Sequence, residues 1–239
     1  MNTTVGTSNF CTEPRRIWPF KIKLAEINLV YCRFQLDRFT RADLDALGMN
    51  IASIEKSVPK RQAEFTAGRI CARKALQLLN GDGTLPQIGS NREPLWHPST
   101  IGSITHNETI AAAAISRSTI YRGIGIDFET VIAPTTRENV LTEILTTAEL
   151  NTYYSLNNEQ RAQFFTIVFS AKESFFKALF NSVNKFFGFH DALVSNIDWS
   201  RGTLTLRLLT TLSDSFPDGR TFDALFFYRK NHVGTLLTI

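Results

Sequence analysis

Two stretches far apart in the chain carry the same signal, and it leaves few architectures open. From Pro59 to Leu79, apolar Ala63, Ala67, Ile70, Ala75 and Leu78 recur at helical spacing, and Gly81-Asp82-Gly83 supplies a stop. A second long amphipathic helix is predicted from about Glu159 to Phe180. Strand-like segments accompany both. Lys21 to Leu36, the small-residue run Ile110 to Ile115, and Tyr121 to Glu129 precede the second helix; Ala192 to Trp199, Leu204 to Thr211 and Ala224 to Ile239 follow it. The last is expected to fold back at Lys230-Asn231-His232 as a hairpin. Shorter helices are expected at Ala42–Leu47, Glu138–Leu145 and Thr147–Leu156, a loose lead-in over residues 1–20, and a proline-framed loop from Asn91 to Pro98. Helix with sheet in each half reads as two similar α/β lobes, and no Pro/Ser-rich linker separates them, so they are expected to pack together.

Composition narrows the class. At 239 residues, 43% hydrophobic and 20% charged, the chain can bury a full core, which excludes global disorder. No run reaches the ~18 apolar residues of a membrane span. Met1 to Arg16 lacks the apolar centre of a secretory signal, so a cytoplasmic protein is expected. Cys11, Cys32 and Cys71 are odd in number and widely spaced, which argues against a disulfide framework or a Cys-x-x-Cys metal site. A net charge of +4 suits an acidic partner or a phosphate ligand and is too small to imply nucleic-acid binding.

Gly123-Ile124-Gly125-Ile126-Asp127-Phe128-Glu129 is the most informative segment. On a strand, Ile124, Ile126 and Phe128 take one face, while Gly125, Asp127 and Glu129 take the other. Two carboxylates then project ~7 Å apart along the strand. Such a pair repels unless a positive charge lies between them, and hard divalent cations take oxygen ligands of this kind. A strand end with two solvated acids would read the same way. In the second helix, Phe169-Ser170-Ala171-Lys172-Glu173-Ser174-Phe175-Phe176-Lys177 puts Glu173 and Lys177 on one face, with Lys172 about 100° round. Phe169, Phe176 and Phe180 around that face suggest a cleft wall, although an exposed ion pair is the plainer alternative. Ser103-Ile104-Thr105-His106-Asn107 sets a histidine at a loop–strand junction, where it can donate to phosphate or serve structure alone. Lys56, Lys60, Arg61, Arg69, Arg73 and Lys74 face Glu55 and Glu64 as a basic stretch, most simply a solvated helix face.

Taken in order, these stretches resemble the 4′-phosphopantetheinyl transferases, in the branch that activates enterobactin and surfactin synthetases. The resemblance is carried by Lys60-Arg61-Gln62-Ala63-Glu64-Phe65-Thr66-Ala67-Gly68-Arg69 with Ala72-Arg73-Lys74-Ala75-Leu76, Arg92-x-Pro94-x-Trp96, Gly102-Ser103-Ile104-Thr105-His106, the Gly123–Glu129 segment, and Phe169-Ser170-Ala171-Lys172-Glu173-Ser174-x-x-Lys177. Phe169 stands where the family often has Trp, Asn91 where it has Gly, and His97 interrupts its Trp-Pro.

The resemblance implies an α/β (α+β) fold of two pseudo-symmetric lobes, residues 1–118 and 119–239, each a small, mainly antiparallel sheet packed with a long helix. It implies transfer of the phosphopantetheine arm of coenzyme A to a serine of an acidic peptidyl, aryl or acyl carrier domain, releasing 3′,5′-ADP. Asp127, Glu129 and Glu173 would hold Mg²⁺, or Mn²⁺ in its place. Glu173 would be the general base, with Asp127 and Lys177 completing the catalytic set. Lys177 and Lys172 would contact the pyrophosphate. Arg61, Arg69, Arg92, Thr105 and His106 would surround the nucleotide, Arg92 and His106 gripping the 3′-phosphate; which of Lys56, Lys60 and Arg61 reaches a phosphate stays open. Asn184-Lys185-Phe186-Phe187-Gly188-Phe189 is the expected carrier-docking segment, with a buried loop as its alternative, and a monomer is expected. Two other readings compete. Asp127-Phe128-Glu129-Thr130, with His190 and Asp198, also looks like a 3′–5′ exonuclease, and the lobes could bind coenzyme A or a carrier without transfer.

Overall fold

The chain divides into two units in the computed structural model, which describes residues 9–183 and 185–239. Met1–Ser8, the start of the expected lead-in, and Asn184, the first residue of the expected docking segment, lie outside the described residues. The first unit comprises residues up to Trp18 with Ala25–Ile120, and the second comprises Pro19–Leu24 with Tyr121–Ile239. The exchange of 19–24 is a departure from a single cut near 118. Lys21 Nζ donates to the carbonyls of Trp199 and Ser200, and Phe20 packs edge-on against Phe227, so this segment belongs with the second sheet. Only Asn28–Arg33 of the expected Lys21–Leu36 stretch is a strand.

The first unit runs β1 (Arg15–Arg16), β2 (Asn28–Arg33), α1 (Arg41–Asp45), α2 (Pro59–Asn80), β3 (Gln87–Ile88), β4 (Pro94–Leu95), β5 (Thr100–His106) and β6 (Ile110–Arg117). Its main sheet is antiparallel in the order β1-β2-β6-β5. Pro59 opens α2 where its missing N–H costs nothing, and Gly81 (φ +78°) closes it in a left-handed conformation that suits glycine. Small residues set the packing. Ala63, Ala67, Cys71 and Ala75 of α2 lie over Val30 and Cys32 of β2 and Ala111 and Ala113 of β6, all buried.

The second unit runs β7 (Ile124–Thr130), α3 (Pro134–Ile144), α4 (Thr147–Ser155), α5 (Asn158–Val183), β8 (Ala192–Asp198), β9 (Thr203–Leu208), β10 (Thr221–Arg229) and β11 (His232–Thr238). Its sheet is also antiparallel, β7-β11-β10-β9-β8, and the β10–β11 hairpin turns at Lys230-Asn231 as the sequence indicates. Ala171, Phe175 and Leu179 of α5 cover Leu206, Ala224, Phe226 and Val233 of the sheet. Each half thus packs its main antiparallel sheet against one long helix, an α/β arrangement as read from the sequence. Among the described residues, no helix is long and apolar enough to cross a membrane.

Candidate active site

Two glycines let α5 approach β7. A Cβ on Gly125 would stand 1.7 Å from the Ser174 carbonyl oxygen, and one on Gly123 would stand 2.2 Å from that of Ala178, so any other residue would push the helix away. A buried clamp fixes the same contact from the neighbouring strand. Thr235, paired in register with Asp127, donates to the Ser170 carbonyl (2.8 Å), and its hydroxyl lies 2.9 Å from the Ser170 hydroxyl and 3.0 Å from that of Ser174.

This close contact brings the strand acids to the helix face. Lys177 Nζ lies 2.7 Å from Asp127 Oδ1 and 3.3 Å from the Ile126 carbonyl oxygen. Asp127 is buried, while Glu129, Glu173 and Lys177 are partly buried. Burial and the Asp127 and Glu173 charges push the Glu129 carboxyl up to about 8, against the opposing pull of Lys177. Glu173 is also raised, by burial first and then Asp127, with Lys177 again opposing. Burial lowers Lys177, but Asp127, Glu173 and Glu129 together outweigh it, and its pKa ends raised. One ammonium therefore neutralises only part of the charge of three carboxylates. As they stand, no three His, Cys, Asp or Glu side chains among the described residues converge on a metal position.

Beside Glu173 lies a cavity of about 210 Å³ walled by Phe175, Phe176, Phe186, Phe187 and Phe189. The aromatic segment divides its roles: Phe187 is buried, whereas Phe186 is 79% exposed. A larger depression, about 640 Å³, lies between α4, the start of α5 and β8. Its lining includes Gln160, Gln163, Ser195 and Asn196, and its one acid, Glu149, is engaged elsewhere; of the two cavities only the smaller is lined by one of the clustered acids, Glu173.

Lys172 requires correction as a phosphate ligand. It is 3% exposed, and its Nζ donates to Glu149 Oε2 at 2.7 Å and to the Ile144 carbonyl at 2.8 Å. The turn of about 100° that separates it from Glu173 directs it into the core. Glu149, which sequence reasoning overlooked, also accepts from the Thr146 backbone and hydroxyl and from the Val194 N–H. Thr146-x-x-Glu149 is a capping box, and that spacing was the available signal.

In the first unit, Arg61 Nη1 lies 2.8 Å from His106 Nε2, and His106 Nδ1 lies 3.6 Å from Glu64 Oε2. With the guanidinium donating, the ring carries its proton on Nδ1, facing the carboxylate. Burial raises the pKa of Glu64, against the charges of Lys60 and Arg61. Thr105 is buried beside His106 at the end of β5. Arg92 is exposed in the β3–β4 turn with φ +68°. Lys56 and Lys60 are exposed. Arg69 requires the second correction: it is 2% exposed, donates to the Pro86 carbonyl at 2.9 Å and lies over the Phe65 ring, so it braces the core. Desolvation lowers its pKa to about 10.

Comparison with known proteins agrees with both halves. Residues 50–116 match the 4′-phosphopantetheinyl transferase N-terminal domain, and residues 123–226 match the 4′-phosphopantetheinyl transferase superfamily. The chain is similar to enterobactin synthase component D of Salmonella typhimurium, with 36% identity over 75% of this chain and 72% of that protein. For the protein of the same name from Escherichia coli K12, identity is 34% over 72% of this chain and 79% of the relative. A 4′-phosphopantetheinyl transferase of Nocardia iowensis, Npt, is 30% identical over 65% of this chain and 71% of its own length. The chain belongs to the 4′-phosphopantetheinyl transferases.

Proposed function

We propose that this enzyme transfers the phosphopantetheine arm of coenzyme A to a carrier-domain serine in a Mg²⁺-dependent reaction that releases 3′,5′-ADP. The observation that carries the reading is the set of three carboxylates, Asp127, Glu129 and Glu173, gathered around Lys177 at the β7–α5 contact. Oxygen donors with an excess of negative charge fit a hard divalent cation, and Asp127, Glu129 and Glu173 would hold it. Bound there, Mg²⁺ would neutralise pyrophosphate charge and stabilise the departing phosphate oxygen; Mn²⁺ would fill the same role.

The serine oxygen attacks the β-phosphorus of the pyrophosphate, the bond from that phosphorus to the bridging oxygen breaks, and that oxygen leaves on the 5′-phosphate of 3′,5′-ADP. Glu173 accepts the serine proton. Its place on α5 beside Asp127 and Lys177, at the edge of the aromatic-walled cavity, puts its carboxylate where the serine would approach. Lys177 orients Asp127 and offers its ammonium to pyrophosphate oxygens. In the first unit, Arg61 and His106 take the 3′-phosphate with Arg92, and Thr105 holds the end of β5. Lys172 and Arg69 have no direct phosphate role here, because their charged ends are buried in the core.

The carrier domain is acidic and meets the mildly basic enzyme, and Phe186 is the exposed aromatic offered to it. The reading extends to a cytoplasmic monomer whose domains are residues 1–118 and 119–239, apart from the 19–24 exchange. No observation favours the exonuclease: Asp198 accepts from Ser200 and Arg201 in the β8–β9 turn, as a turn-forming acid does. The retained acids likewise favour transfer over binding alone. The test is incubation of an apo carrier domain with coenzyme A, with and without Mg²⁺. A mass gain of one arm, ~340 Da, on the carrier serine is expected only with metal. Nucleotide release from single-stranded DNA, with no carrier modification, would overturn the reading.

A further inference from the structure

The three cysteines, scattered in sequence, meet in the first unit. Cys32 Sγ on β2 lies 3.8 Å from Cys11 Sγ and 3.5 Å from Cys71 Sγ on α2. Cys32 and Cys71 are fully buried, while Cys11 is partly exposed. The backbones differ as much as the exposure. Cys71 lies inside a 22-residue helix, and its thiol is also 3.3 Å from the Ala111 carbonyl oxygen. Cys11 sits in a single isolated bridge to Phe34, next to the paired Thr12 and Arg33. A disulfide needs its sulfurs to close to ~2.0 Å, and the Cys11 segment can move for this where the helix cannot.

We propose that Cys11 and Cys32 form a reversible disulfide driven by a small peroxide, with Cys11 as the point of entry and Cys32 as the resolving thiol. Cys11 Sγ takes one oxygen from hydrogen peroxide, giving a sulfenic acid and one water. The Cys32 thiolate then attacks Cys11 Sγ, the S–O bond breaks, and the departing hydroxide takes a proton to form a second water. Two thiols lose two electrons and two protons, and one peroxide is reduced to two waters. Cys32 Sγ lies between the other two sulfurs, and its hydrogen bonds with Cys11 and Cys71 hold its thiol below the ordinary value against the opposing effect of burial, which favours the attacking thiolate. Cys11 is the one sulfur of the three that solvent reaches, so peroxide meets it first, and Cys32 Sγ at 3.8 Å removes the sulfenic acid as it forms. The disulfide is opened again by an excess of an external thiol.

The experiment treats the folded protein with hydrogen peroxide in the presence of dimedone, which traps sulfenic acids, and reads it by peptide mass mapping. Wild type and Cys71→Ala should both lose two hydrogens, link the Cys11 and Cys32 peptides, and regain free thiols with dithiothreitol. Cys32→Ala should instead carry dimedone on Cys11, at least tenfold more than wild type. A bridge containing Cys71, equal dimedone labelling of Cys11 in wild type and Cys32→Ala, or three thiols that stay titratable would each overturn the proposal. The wild-type and Cys71→Ala arms leave Cys32 intact, so the location of the bridge is decided whether or not Cys32→Ala folds.

Discussion

Lys177 Nζ stands 2.7 Å from Asp127 Oδ1, one cation against three acids. The consequence is a pH-dependent metal-free protein. In the unfolded chain Glu129 titrates near ~4.3, whereas in the fold it titrates at about 8. The folded state therefore binds more protons across that window. The contribution of Glu129 to stability is fully present below ~4.3 and is lost as pH rises through about 8. Melting temperature without metal should fall between about pH 5 and pH 9, and Glu129→Gln should flatten that fall. Mg²⁺ should restore stability in the wild type at the alkaline end and have little effect in Asp127→Ala. An identical pH profile in Glu129→Gln would show that the residue is not held in its neutral form.

Asp127→Ala should reduce transfer to the carrier ~100-fold or more, the scale of losing a metal's stabilisation of developing charge. Rates of carrier modification, measured at saturating coenzyme A, check this. Turnover close to that of the wild type would remove Asp127 from the catalytic set.

Lys172→Ala would leave the Glu149 carboxylate without its buried ammonium. Breaking a buried pair from one side costs about 3–5 kcal/mol, so denaturant or thermal unfolding should shift by that amount. The KM for coenzyme A should change little in whatever fraction stays folded. A stable variant with a raised KM would instead return Lys172 to the phosphate.

Gly125→Ala places a methyl group against the Ser174 carbonyl, where it has no room. A loss of about 3 kcal/mol is expected, at the upper end of overpacking costs. Transfer should fall with it, because α5 is displaced along with Glu173 and Lys177. Full activity at native stability would show that the strand and helix separate freely.

His106→Ala should raise the KM for coenzyme A more than the KM for its 3′-dephospho form, since the ring would contact only the 3′-phosphate. Steady-state kinetics with the two substrates decide the matter. Equal effects would assign His106 to structure through Glu64 and Arg61.

Much of the fold was legible because periodicity reports directly on burial. Helix α2 ended at Gly81 as its sequence indicates, the Ala-rich run became β6, and the final hairpin turned at Lys230-Asn231. The Asp127/Glu129 face was readable from strand alternation, and Glu173/Lys177 from helical spacing. Lys172 and Arg69 were misassigned for a common reason: a charge in a motif does not reveal which way its side chain turns. Each is buried because a specific acceptor, Glu149 or the Pro86 carbonyl, awaits it from a distant segment. The Cys11–Cys32–Cys71 cluster was invisible for the same reason, since it depends on β2 pairing with a remote bridge and packing under α2.

All the acids assigned to the cation lie on β7 and α5, within one unit. Cation uptake and nucleotide recognition are therefore separable by mutation. Alterations at Arg61 or His106 that abolish product formation should leave calorimetric titration with Mg²⁺ unchanged, giving a panel of inactive enzymes that still load their metal.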